Sequence, residues 1–405
     1  MPLPSFIRKR INAQGQEVPR GISFWGGLTL LIGSMTGPGL VMIPLLFQQA
    51  GWLTPTLCFL VASILSSIAS SFVCEAMNAI PGNANFEKQV EFATLMEMYF
   101  GKKWRVVAHL WLYASLQSTN IASIIISSQA MDNLVIALFG KTCALQLTPD
   151  VQWTCVSSTA LTNSPFENTR ILFSIGYFIA MAITVPLCFI GLIDNINVQI
   201  ASLLLLLIVI IIWAVIFIMQ GLDPEAIPAV GTDHSSVIGT VLFNYAYVTT
   251  VPSWVNAKKP SVGIASSIWT ASITSTVLYF IVGILGGMSF AMPNDSNILS
   301  VLNSPDIVAG TIARVSVFLF PVATLVASIP VYTIVVRYNL VRGRVCGNKL
   351  ALVLSVAVPW LIAIIFQTGS GLNDFVNWSS LIFTGISNFI IPFVLYLQAR
   401  RQRLL

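Results

Sequence analysis

The chain has 405 residues, of which 56% are hydrophobic, 11% aromatic and 9% charged, and its formal charge is +5. Soluble domains carry about 25% charged residues, so this composition excludes a water-soluble globule, a disordered chain and a nucleic-acid binder. What remains is an all-α polytopic membrane protein, in which each span needs about 20 apolar residues to cross roughly 30 Å of hydrocarbon.

Residues 1–20 are polar and basic and lack the apolar core of a cleavable signal, so they read as a cytoplasmic tail, with the first span acting as the targeting signal. Charge-poor stretches then mark about ten spans, near 22–49, 52–78, 104–139, 170–190, 197–220, 236–257, 262–291, 307–337, 350–367 and 374–398. The loop at 81–103 carries Phe86, Val90, Phe92, Leu95 and Met96, a pattern that predicts a short helix lying on the membrane surface. With an even span count, every Lys and Arg except Lys141, Arg170 and Arg314 falls on one side. The positive-inside rule makes that side, and both termini, cytoplasmic. The expected organisation is a tail at 1–20, five helices at 21–220, five more at 221–399 and a short terminus at 400–405.

Cys143 and Cys155 share the outer loop between spans 3 and 4. A disulfide and two free thiols are both compatible with that placement. No cysteine has metal-ligand spacing with His109 or His234, and neither histidine sits in a nucleophilic constellation. Walker A, dinucleotide-binding and HExxH patterns are absent as well. The sequence therefore predicts neither an enzyme nor a cofactor. Asn294-Asp-Ser and Asn377-Trp-Ser are sequons, the second close to the membrane.

Two spans are interrupted. In span 1, Gly33-Ser34-Met35-Thr36-Gly37-Pro38-Gly39 places three glycines and a proline at mid-membrane depth. Glycine costs about 1 kcal/mol and proline about 3 kcal/mol in a helix interior, and Pro38 has no N–H to bond back to Ser34. The chain is expected to unwind there. Unwound backbone is tolerated at that depth only where it lines a protein cavity; the competing account is a kinked helix packed through small residues. In span 6, Asn244, Tyr245, Tyr247, Thr249 and Thr250 gather before Pro252. Interrupted spans at matching positions of two halves point to a transporter built on inverted repeats. Half-helix N-termini at the breaks suit an anionic group, and freed carbonyls suit a cation or an ammonium group.

The run GPGLVMIPLLFQQAGW in span 1 resembles the first-helix signature of the amino acid/auxin permease family. FPVATLVASIPVYTIVVRYNL in span 8, and VPW and NFIIPFVLYLQ in spans 9 and 10, are similar to that family too, so the resemblance runs from about Gly21 to Gln398. It implies a LeuT-type 5+5 inverted repeat within the amino acid–polyamine–organocation superfamily, and transport of amino acids by alternating access. It places the substrate carboxylate at Thr36, Gly37, Pro38 and Gly39, and the amino group near the carbonyls of Ser34 and Met35 and around Asn244, Tyr245, Tyr247 and Thr249. Side-chain selectivity is expected from spans 3, 6 and 8; in span 3 Gln117, Ser118, Asn120 and Ser123 form a polar patch, for part of which plain interhelical hydrogen bonding is the alternative. A sodium site between spans 1 and 8 would involve Gly33, Thr324 and Ser328. Sodium-coupled relatives carry asparagine where Gly33 stands, so protons are slightly favoured over sodium as the coupling ion. Among the carboxylates near span ends, Glu75, Asp132, Asp194 and Asp374 read as solvated or structural rather than coupling groups. The expected partners are an amino acid and membrane lipids, with no nucleic acid and a monomeric protein. An amino-acid-sensing transceptor and an uncoupled facilitator are the alternatives. An ion channel lacks a filter repeat and charged rings.

Overall fold

The computed structural model describes residues 21–403, apart from 85, 148–149, 158–163, 167–170, 295, 304–306, 308–309 and 369–370. The expected tail at 1–20, Arg170 and the middle residue of the first sequon lie outside the described residues.

Helix α1 (Phe24–Met35) starts where the Ser23 hydroxyl accepts from the Gly26 amide, which satisfies one donor of the first turn. It stops before Gly37. A 3₁₀ turn (Pro38–Met42) and α2 (Ile43–Ala50) complete the stretch, bent by 45° at the break. Gly51 then takes a φ of 78°, and its neighbours are tied to the loop before the sixth stretch, with Gly231 N–H donating to the Ala50 carbonyl at 2.9 Å.

Then come α3 (Leu53–Asn78), α4 (Phe92–Phe100) and α5 (Lys102–Phe139). Strands β1 (Thr142–Gln146), β2 (Gln152–Val156) and β3 (Ile171–Ser174) form an antiparallel sheet in the order β2-β1-β3. Helices α6 (Ile175–Cys188), α7 (Ile196–Gln220), α8 (Val237–Asn244) and α9 (Val251–Val255) follow. Helix α10 (Ile264–Phe280) continues through a π turn (Ile281–Leu285) into α11 (Gly286–Ser289). The rest is α12 (Ile298–Leu302), α13 (Gly310–Arg342), α14 (Asn348–Ala363) and α15 (Gly371–Ser379), which runs through a π stretch (Ser380–Ile390) into α16 (Ile391–Arg403).

Among the described residues, seven helices are long and apolar enough to cross a membrane, and the bent pair α1–α2 makes an eighth. The fourth and sixth expected spans are shorter. At 170–190 only Ile175–Cys188 is helical, because Ile171–Ser174 pairs with β1 and Ser174 caps α6 through the Tyr177 amide. At 236–257 the helix is split into α8 and α9 by a turn and a 3₁₀ segment at Val248–Thr250.

One expectation for the connections is corrected. The short helix in the 81–103 loop exists, as α4, but its apolar face is turned into the protein rather than toward lipid. Val90, Phe92, Leu95 and Met96 are buried against the core, because α4 packs on α5, α13 and α16. The outer loop between α5 and α6 carries the three-stranded sheet, with Cys143 and Cys155 cross-strand partners joined by a disulfide. Asp132, at the outer part of α5, is buried beneath that sheet. It accepts from Thr142 Oγ1 and the Gly176 amide at 2.9 and 2.8 Å, and from the Ser174 hydroxyl. Its role is structural, while Glu75, Asp194 and Asp374 are exposed.

Helices α5 and α13 lie side by side at the centre and are buried along most of their length. Helices α3, α7, α14 and α16 surround them, and Leu204, Ile208, Ile211, Leu361 and Leu397 point outward. Apolar residues on the outside are what a hydrocarbon solvent requires.

Candidate substrate site at the paired breaks

The two interruptions face each other. A carbon added at Gly39 would lie 2.6 Å from the Asn244 carboxamide, so the 3₁₀ turn and the end of α8 meet at a distance only glycine permits. The Tyr279 hydroxyl of α10 lies 2.8 Å from the Met35 carbonyl and 2.9 Å from the Asn244 carbonyl, and so bridges both breaks. The Tyr332 hydroxyl of α13 donates to the Ser34 carbonyl at 2.5 Å. Two carbonyls expected to receive an amino group therefore already accept phenolic protons, each with one lone pair remaining. Ser34 and Thr36 hydroxyls turn back onto the Leu30 and Ile32 carbonyls, both at 2.8 Å. At this break the accessible chemistry is backbone.

Gly37 is different from Gly39. The nearest atom to a carbon added there is Ser328 Cβ at 4.0 Å, so the Gly37 backbone borders free space next to α13. Ser328 Oγ donates to the Thr324 carbonyl at 2.7 Å and lies 3.3 Å from Ser123 Oγ of α5. Thr324 itself bonds to Phe320 and Pro321 carbonyls. Gly33 is buried within α1. Asn120 Nδ2 reaches Thr333 Oγ1 at 3.2 Å, linking α5 to α13. The Thr249 amide donates to Asn388 Oδ1 at 3.1 Å, linking the sixth-stretch break to the π stretch before α16. Asn120 Oδ1, Asn244 Oδ1 and Thr249 Oγ1 are buried polar atoms without a partner among the described residues. Such atoms are costly unless something else meets them.

Not every expected residue converges. The Tyr245 hydroxyl pairs with Thr276 Oγ1 at 2.5 Å, and the buried Tyr247 hydroxyl has no hydrogen-bond partner among the described residues. Ser118 bonds within its own helix, to the Ser115 carbonyl at 2.8 Å. Tyr279, Tyr332 and Asn388 are the site residues that sequence reasoning missed. The available signal was spacing: Tyr332 stands one turn after Ser328 on α13, across Pro330.

A second cluster closes the basic end of the breaks. Ile22 and Lys258 form a β-bridge, with Ile22 N–H donating to the Ala257 carbonyl at 2.8 Å and Lys259 N–H to the Ile22 carbonyl at 2.9 Å. The entry to α1 is thereby fastened to the exit from α9. Glu91, fully buried just before α4, accepts from Ser253 Oγ at 2.5 Å and Asn256 Nδ2 at 3.1 Å, and is ion-paired with Arg342 at the end of α13. Asn256 also exchanges two hydrogen bonds with Val90, and Asn339 Oδ1 accepts from the Ala93 amide at 3.4 Å. Val90, Glu91 and Ala93, at the start of α4, thus tie α9 to α13.

The profile of the family described as transmembrane amino acid transporter proteins matches residues 20–404. The chain belongs to that family. Members of the curated set that it resembles are transmembrane protein 104 homologs of Caenorhabditis briggsae and Caenorhabditis elegans. Each is 22% identical over 359 residues, covering 79% of this chain and 69% of the relative. In structure the family member is similar to Mhp1, a nucleobase-cation-symport-1 family transporter solved in a closed conformation with bromovinylhydantoin bound. The TM-score is 0.63 at 14% identity, over 91% of this chain and 78% of Mhp1. The fold is thus of the LeuT type, and the protein is an integral, multi-pass membrane transporter.

Proposed function

We propose that the protein moves amino acids across its membrane by alternating access, with the substrate held between the breaks of α1–α2 and α8–α9. The observation that carries this reading is the Tyr279 hydroxyl lying on carbonyls of both interrupted segments at once. It joins the two interrupted backbones at one point, where a ligand that displaces or joins the phenol is felt by both. The substrate carboxylate lies at the Gly37–Gly39 backbone, where the 3₁₀ turn presents its N–H end. The amino group takes the remaining lone pairs of the Ser34, Met35 and Asn244 carbonyls. Both termini face the cytoplasm, because the basic residues Lys102, Lys258, Arg342 and Arg400 gather at the end where α1 begins and α16 finishes.

Uptake of radiolabelled amino acids into proteoliposomes tests the reading. The free acid is expected to compete, and its amide or methyl ester to compete roughly tenfold or more weakly. One hydrogen bond to a charged group contributes about 1.5–3 kcal/mol. Equal competition by a decarboxylated amine would remove the carboxylate from the site and leave a cation carrier.

Protons are the favoured coupling ion. Sodium must replace its lost hydration with several protein oxygens, Gly33 offers no side-chain oxygen, and the Ser328 and Thr324 hydroxyls are engaged along their own helix. An inward gradient of one pH unit supplies about 1.4 kcal/mol, enough for roughly tenfold accumulation per proton. Uptake is expected to follow that gradient and to be unchanged when choline replaces sodium. A requirement for sodium that Ser328→Ala weakens would reverse the assignment, and indifference to both gradients would indicate a facilitator.

A further inference from the structure

Helix α5 packs against the π stretch that leads into α16, with Trp111 edge-on to Phe383 at 5.8 Å, and α4 contacts both α5 and α16. At the basic end the Gln398 and Gln402 amides reach the Tyr99 carbonyl at 3.5 and 3.4 Å, which fixes the last turns of α16 beside the α4–α5 junction. Lys102 and Lys103 open α5, and Arg400 and Arg401 lie in the last turns of α16, all four exposed. Arg105 is neutralised by both oxygens of Glu97, at 3.1 and 3.0 Å. Among the described residues no carboxylate pairs with the other four. The first-turn amides of α5, beyond Gly101, point to the same end and add to its preference for an anion.

Each cation pair caps an apolar stripe. On α5, Lys103, Val106, Val107 and Leu110 follow helical spacing on one face, and Leu110 is 65% exposed. On α16, Val394 and Leu397 precede Arg401 on one face, and Leu397 is also 65% exposed. Trp104, 52% exposed, sits between the cations and the stripe, at the level where indole rings prefer the membrane interface. Two outward apolar stripes ending in uncompensated cations, joined at their basic ends through Tyr99, match a molecule with an acyl chain below and a phosphate above.

We propose that this α5–α16 face binds an anionic phospholipid, its headgroup held by Lys102, Lys103, Arg400 and Arg401. A zwitterionic lipid carries its own cation and leaves the four charges uncompensated. A soluble phosphate has nothing to lay along Leu110 and Leu397. Each basic side chain near a membrane surface contributes about fivefold to binding an anionic lipid.

The test uses the purified full chain in detergent and follows its thermal unfolding. Dioctanoyl phosphatidylserine is expected to raise the midpoint with concentration, as a ligand of the native state does. Dioctanoyl phosphatidylcholine and glycerophosphoserine should do so at least tenfold more weakly. The combined variant Lys102→Gln, Lys103→Gln, Arg400→Gln, Arg401→Gln should lose the phosphatidylserine response, whereas Arg344→Gln with Lys349→Gln, at the same end, should keep it. If the fourfold variant does not fold, the wild-type response is followed from low to high salt, where it should fade as the charges are screened. Equal stabilisation by phosphatidylcholine, a response retained in the fourfold variant, or a response indifferent to salt would overturn the proposal. Equal stabilisation by glycerophosphoserine would overturn it too, and leave a site for phosphate alone.

Discussion

Glu91→Ala is expected to destabilise the protein by about 3–5 kcal/mol, the range for removing one partner of a buried ion pair. The carboxylate has no exposed surface and receives Ser253, Asn256 and Arg342 from two different elements. Without it, the Arg342 guanidinium, already stacked over the Tyr338 ring at 4.3 Å, faces two neutral polar groups with no anion. Most of the cost comes from that stranded charge rather than from the lost contact. The double variant Glu91→Ala, Arg342→Ala should therefore cost less than the sum of the single ones, by a margin outside additivity for distant sites. Thermal unfolding of the four proteins in one detergent decides this. Strict additivity would mean that the pair contributes nothing to holding α9 against α13.

The same cluster has a consequence for transport. It joins α9 to α13 at the end where α1 is bridged to residues 257–259, so this end of both interrupted segments is closed in the present structure. Under the alternating access proposed above, that closure is undone in each cycle. A weakened latch should raise the population open at this end, and a single cysteine placed beyond Pro252 would then react faster with a membrane-impermeant thiol reagent supplied from that side.

Much of the span layout could be read from sequence, for a definite reason. A charge inside hydrocarbon is expensive, so charge-free stretches outline the helices, and the Gly37-Pro38-Gly39 run coincides with the end of α1, whereas Pro321 and Pro330 sit inside an unbroken α13. Glu91 was hidden because its meaning depends on Ser253 and Arg342, which the fold brings from 162 and 251 residues away. The same holds for α4. Its apolar face looks identical whether it meets lipid or protein, and only the position of α13 and α16 separates the two. Tyr279 and Tyr332 were obscure for the converse reason. A phenol in an apolar helix reads as core, and these rings are core, with only their hydroxyls reaching the breaks. The outer sheet escaped because a strand of four or five residues between polar neighbours carries little periodicity.

Gly37→Val is expected to abolish uptake in a protein that still folds and inserts. A first carbon at this position meets only Ser328 Cβ, at 4.0 Å. The branched methyls would then fill the space between the 3₁₀ turn and α13, where a substrate carboxylate must approach backbone. Gly37→Ala should be intermediate, with wild-type stability and reduced uptake. Gly39→Ala makes the contrast, since its carbon falls 2.6 Å from the Asn244 side chain and must displace it, so stability and uptake should fall together. A tenfold loss of uptake corresponds to about 1.4 kcal/mol, and the valine variant should exceed that with its unfolding midpoint unchanged. Full uptake by correctly inserted Gly37→Val would place the substrate somewhere other than between these breaks.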